Sequence, residues 1–154
     1  MNMTEGSPYH YTECGLDNIY LSNGFKFHDT ARAKAVSIHD IDGLHKAIGL
    51  YLVTSQKDLS KKEVRFLRDE MLMSQSTLGQ LLGVSEQAIR RWESGKTAIP
   101  KPSESLLRLL YREHVNNQNG KIASLLKGIA DLEDKRNDRN LLFVDTKQGW
   151  QSAA

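Results

Sequence analysis

Apolar residues recur at helical spacing through the middle of the chain and alternate with polar ones near its ends. Ile41, Leu44, Ile48 and Leu52 share one face, which predicts a helix over Ile41–Val53 capped by Asp40. Thr54 to Ser60 is polar and reads as a linker. Ser60 and Glu63 form a Ser-x-x-Glu capping pattern, and Val64, Phe66, Leu67 and Met71 supply the buried side of the next helix. Two short helices follow. Ser74 caps the first, with Leu78, Leu81 and Leu82 on one face, and Gly83 stops it. Ser85 caps the second, with Ala88, Ile89 and Trp92 on one face, and Gly95 stops that. Serine suits the N-cap because its hydroxyl accepts an orphan N–H, and glycine suits the left-handed position after the last turn. Pro100 and Pro102 predict a break before a helix capped by Ser103, with Leu106, Leu107, Leu109 and Leu110 largely buried.

The flanks read differently. Tyr9-His10-Tyr11 suits a short strand and residues 14–18 a turn. Ile19–Ser22 and Phe25–Asp29 flank Asn23-Gly24, a pair that tolerates positive φ and predicts a hairpin, and Ala35–Ile38 adds a third strand. Asn116–Gly120 reads as a loop. A helix from Lys121 to Arg136 then carries Ile122, Leu125, Leu126, Ile129 and Leu132 as one stripe. Asn137–Asn140 reads as a turn and Leu141–Thr146 as an apolar strand with no adjacent hairpin partner, followed by the aromatic Trp150. The expected organisation is a small α+β module over residues 1–56, a helical unit over 57–115 and a C-terminal helix and strand over 116–154.

Charge sharpens this division. The net charge is only +2, but residues 57–112 hold 11 Lys/Arg against 7 Asp/Glu, and residues 1–56 hold 4 against 6. The positive charge lies on the segment that carries the paired short helices, as phosphate neutralisation requires. No run of 18 apolar residues suggests a membrane span. Residues 1–6 are polar and resemble no secretory signal, and Cys14 is the one cysteine. The expected location is therefore cytoplasmic.

Two short helices joined by a glycine-containing turn have the layout of the DNA-binding helix-turn-helix. The run Glu63-Val64-Arg65-Phe66-Leu67-Arg68, with Ser74-Gln75, Leu78, Gly83-Val84-Ser85, Ile89, Trp92-Glu93-Ser94-Gly95 and Pro100 in register, resembles the phage-repressor (XRE, Cro/repressor) family. The resemblance covers roughly Leu59 to Tyr111. It implies a mainly α fold: a five-helix repressor-like domain, preceded here by the small β-sheet plus helix module and followed by a short C-terminal strand. It also implies roles. Gln75 would hold a phosphate. Glu86, Gln87, Arg90 and Arg91 would line the exposed face of the recognition helix that Ser85 begins. Ser94 and Lys96 would contact the DNA backbone, and Arg68 with Glu93 would form a structural pair. A glutamine suits adenine and an arginine suits guanine in the major groove. The implied function is a sequence-specific regulator, a repressor binding a palindromic operator as a homodimer.

His10, His28, His39 and His45 lie near Cys14 in sequence and raise the question of zinc. Structural zinc sites show paired ligands, and here they are missing, so no metal and no other cofactor is expected. The order of a small sheet module, a linker and a helix-turn-helix resembles the MqsA-like antitoxins, whose N-terminal zinc domain binds a toxin. The four-cysteine set of that family is absent. The resemblance implies an antitoxin with a toxin partner as the alternative function. No nucleophile motif, phosphate loop or ligand set suggests an enzyme.

Overall fold

The computed structural model describes residues 6–116, 124–129 and 141–152. Strands β1 (Tyr9–His10) and β2 (Tyr20–Leu21) form one antiparallel pair. Strands β3 (Phe25–Asp29) and β4 (Lys34–Ile38) form another. Asn23-Gly24 therefore does not join a hairpin, contrary to the sequence expectation; it turns the corner between two hairpins. The reason is register. A two-residue loop there would set Leu21 against Lys26 and Ile19 against His28, mixing apolar and polar side chains on each face. The observed ladder sets Phe25 against Ile38 and Phe27 against Val36. Gly24 takes φ 79° at the corner, and its carbonyl accepts from His39 N at 2.8 Å. The Tyr9 ring packs against Phe25 and Phe27, with centroids 5.4 and 5.8 Å away.

Helix α1 (Ile41–Thr54) starts at Asp40, whose carboxylate accepts from Gly43 N at 3.2 Å. It buries Ile48, Leu52 and Val53 but leaves Ile41 exposed. Helices α2 (Lys61–Glu70), α3 (Gln75–Leu82) and α4 (Glu86–Ser94) follow, and α5 (Lys101–Val115) closes the core. The Ser60–Glu63 capping box forms in full. Gly83 and Gly95 end α3 and α4 at φ 70° and 81°. Between α3 and α4 the backbone approaches itself closely. Val84 N donates to Gly79 O at 2.9 Å, and a Cβ on Gly79 would lie 2.8 Å from Val84 O.

Helix α5 begins at Lys101, not after Ser103. Pro102 is accommodated in the first turn because its missing N–H is one of the four that a helix start leaves unpaired. Leu107 and Leu110 are buried while Leu109 is exposed, so the four leucines do not all face inward. Against α1 the approach is close: a Cβ on Gly49 would fall 2.0 Å from the Tyr111 hydroxyl oxygen. One core cluster runs from Tyr11, Leu16 and Leu21 through Ile48 and Leu52 to Leu67, Leu78, Ile89 and Leu107.

The segment joining α1 to α2 is held by a pair on α5, half-buried Arg108 and buried Glu104. Arg108 donates to Leu52 O (2.9 Å), Ser55 O (2.7 Å), Lys57 O (2.7 Å) and the Glu104 carboxylate (2.7 Å). Glu104, itself buried, also accepts from Leu59 N at 3.0 Å. In sequence these residues look like an ordinary i,i+4 surface pair.

Beyond α5, residues 124–129 are helical, with Leu126 against the core and Leu125 and Ile129 exposed. Ile122, Leu132, the 137–140 turn and most of the 116–120 loop lie outside the described residues. The apolar C-terminal strand does have a hairpin partner: β5 (Phe143–Thr146) pairs with β6 (Gly149–Ser152). Leu141, Leu142, Phe143, Val144 and Trp150 are all exposed on or beside this hairpin, Leu141 at 84% and Trp150 at 73%. Among the described residues no helix is long and apolar enough to cross a membrane.

Candidate nucleic-acid interface

Helix α4 exposes one polar face because its other face is needed in the core. Ile89 and Trp92 are buried, and Glu86, Gln87, Arg90 and Arg91 are left outside. Ser85 fixes the start of the helix by accepting from Ala88 N at 3.1 Å.

A hydrogen-bonded chain runs from α2 through α4 and α3 back to α4. Arg68 donates to both Glu93 oxygens, at 2.7 and 2.8 Å, and to Met73 O at 2.9 Å. These bonds to Glu93 push the guanidinium pKa further up. The Gln75 amide donates to Glu93 at 3.3 Å and accepts from Arg90 at 3.2 Å. Arg90 then reaches Glu86 at 2.7 Å. Gln75, Glu86 and Arg90 are thus engaged with one another, around a concave surface also lined by Arg65, Ser74 and Ser94. Ser94 donates to Arg91 O at 3.2 Å. Gln87, Arg91 and Lys96 are exposed and their side chains have no partner among the described residues. Arg91 and Lys96 therefore carry charge that no group among the described residues neutralises.

The N-terminal histidines disperse. His10 bonds Asp17 O at 2.6 Å and His28 bonds Ser37 at 2.8 Å. His45 sits between the Tyr11 hydroxyl and Glu70, 2.7 Å from each. Burial pushes the Tyr11 hydroxyl up to about 12 and also raises the Cys14 thiol. Among the described residues no three His, Cys, Asp or Glu side chains gather as a metal site. The Tyr11–His45–Glu70 chain and the Glu104–Arg108 pair are polar groups that sequence patterning passed over. The one usable signal was charge at helical positions that otherwise face the core.

Two helices joined by a glycine-cornered turn, the second with a polar outer face, have the layout of a helix-turn-helix. The family model described as Helix-turn-helix, HTH_3, matches residues 64–107, so this segment is a helix-turn-helix of the kind that transcription regulators use to bind DNA. Neither a curated protein nor a solved structure matches the chain.

Proposed function

We propose that the protein is a sequence-specific transcriptional repressor that reads DNA with the outer face of α4. The observation that supports this most is the pair of unpartnered side chains there, Gln87 and Arg91, with Lys96 just beyond the helix. A glutamine and an arginine left free can each make bidentate contacts to a base edge. Gln75 is engaged with Glu93 and Arg90, so it meets a phosphate together with Arg90 or through the open N–H groups of the first turn of α3. Selection of bound DNA from a random library at stated salt is the deciding experiment, since it returns site, symmetry and spacing. Arg91→Ala and Gln87→Ala are each expected to cost about 1–3 kcal/mol on the selected site and to relax one base position. Gln75→Ala should weaken all sequences alike. Wild-type affinity and preference in both α4 variants would remove the assignment.

One helix-turn-helix reads a half-site, so the proposal includes a homodimer on a palindrome, with recognition helices about 34 Å apart or a multiple of that. The exposed apolar residues at 125, 129, 141–144 and 150 support the C-terminal part as its interface. A chain ending at residue 118 is expected to be monomeric by light scattering and to lose cooperative binding to the palindrome. A truncated chain that stays dimeric would move the interface to the N-terminal module.

A further inference from the structure

A cavity of about 530 Å³ opens between β2, α1, the 55–59 segment and the first turn of α2. Its floor is apolar, since Leu21, Ile48, Leu52 and Leu59 are all core residues. Tyr20 and Tyr51 stand exposed at its rim. The volume lies in the range of small-molecule sites, roughly 300–1,000 Å³, which combine apolar walls with a few polar groups.

Charge narrows the ligand class. Two charged residues line the cavity, Lys57 and Glu63. Glu63 is already engaged: it accepts from Ser60 N at 2.8 Å and lies in the first turn of α2. The positive end of that helix offsets its charge. The Lys57 ammonium has no partner among the described residues, although the Lys57 backbone is held at both its N–H and its carbonyl. Among the lining residues the uncompensated charge is therefore positive.

We propose that this cavity binds a small apolar carboxylate, an aryl or medium-chain acyl acid, and that its occupancy regulates DNA binding. The apolar body rests on Ile48 and Leu52, and the carboxylate pairs with Lys57. The coupling route is short. The ligand touches Leu59 and Glu63, where the chain enters α2. Helix α2 carries Arg68, which holds Glu93 on α4. On its other side the same segment is fastened by Arg108 and Glu104. A ligand that shifts this segment against its fastening changes the support of the recognition helix. The regulatory half rests on the DNA-binding proposal above; the binding half does not.

The test is calorimetric titration of the full-length protein with octanoate and with octanamide, its uncharged counterpart. Octanoate is expected to bind once per chain, and octanamide about tenfold more weakly or worse. Lys57→Gln, which changes an exposed and unpartnered side chain, should bring octanoate down to the level of octanamide. Ala47→Phe fills the cavity from α1 and should abolish both while the thermal transition is retained. Absence of saturable octanoate binding in the millimolar range overturns the proposal. So do equal affinities for the two probes, or an unchanged Lys57→Gln variant. A wild-type dimer that Ala47→Phe converts to a monomer by light scattering also overturns it, because the occupant is then a second copy of this chain. Regulation is read as the change in affinity for the selected DNA site on adding octanoate, expected to be about fivefold or more in the wild type and absent in Lys57→Gln. Octanoate binding with unchanged DNA affinity overturns the regulatory half alone. Failure to bind any DNA with or without octanoate sinks the functional proposal while the cavity assignment stands. Failure of octanoate with DNA binding intact does the reverse.

Discussion

Glu93→Ala is expected to destabilise the protein by about 3–5 kcal/mol, because it strands the Arg68 guanidinium among buried neighbours. The side chains of Arg68 and Glu93 are only 11% and 6% exposed, so water cannot readily replace the lost partner. Met73 O and Asp69 remain, at 2.9 and 3.2 Å, but neither supplies the two-point contact that Glu93 makes. The loss also releases Gln75, which donates one of its two bonds to Glu93. The measurement is urea unfolding: the midpoint should fall while the slope stays constant. A double variant, Arg68→Met with Glu93→Leu, separates the pair's own value from the cost of stranding one member. It should recover most of the loss, since a well-packed apolar pair often matches a buried ion pair. A Glu93→Ala cost below about 1 kcal/mol would mean that Arg68 swings out to solvent, and the argument would fail.

Arg108→Ala should cost a similar amount, about 3–5 kcal/mol, by a different route. It leaves the buried Glu104 carboxylate with only the exposed Lys101 ammonium, 3.9 Å away, and the carbonyls of Leu52, Ser55 and Lys57 without the donor they share. Lysine is not a substitute, because one ammonium cannot reproduce a planar fork that serves four acceptors in different directions. Arg108→Lys is therefore expected to recover less than half of the loss. Hydrogen exchange gives a local readout. The Leu59 amide, bonded to Glu104, should exchange much faster in Arg108→Ala than in the wild type. Unchanged protection at Leu59 would show that Glu104 holds the segment without Arg108.

Features decided by neighbours in sequence were readable. The caps at Ser60, Ser74 and Ser85 and the stops at Gly83 and Gly95 are local chemistry, and the helices begin and end there. Pairings between distant residues were not. Asn23-Gly24 is a strong local hairpin signal, yet the choice of strand partners depends on which register gathers Phe25, Phe27, Val36 and Ile38 on one face. The C-terminal hairpin turns at Lys147-Gln148, residues that carry no turn signature, and so β6 was invisible. At Pro100–Ser103 two signals overlapped, a proline stop and a serine cap, and the helix used the proline as a start. In the candidate site the residue types on α4 could be read from the pattern. The partners of Gln75, which lie 15 and 18 positions away, could not.

The close approach of Gly49 to Tyr111 bears on where this chain can be cut. A minimal DNA-binding fragment drawn from the matched segment, 64–107, would discard α1 and the end of α5 that it covers. Even a fragment running from residue 57 to 115 would uncover Tyr111, Leu107 and Leu110 on the side that α1 and its neighbours keep dry. It would also leave Arg108 without the Leu52 and Ser55 carbonyls it bonds. The physical boundary for excision lies ahead of Tyr9, because Tyr11, Leu16 and Leu21 share the buried cluster with α1 and the Tyr11 hydroxyl bonds His45.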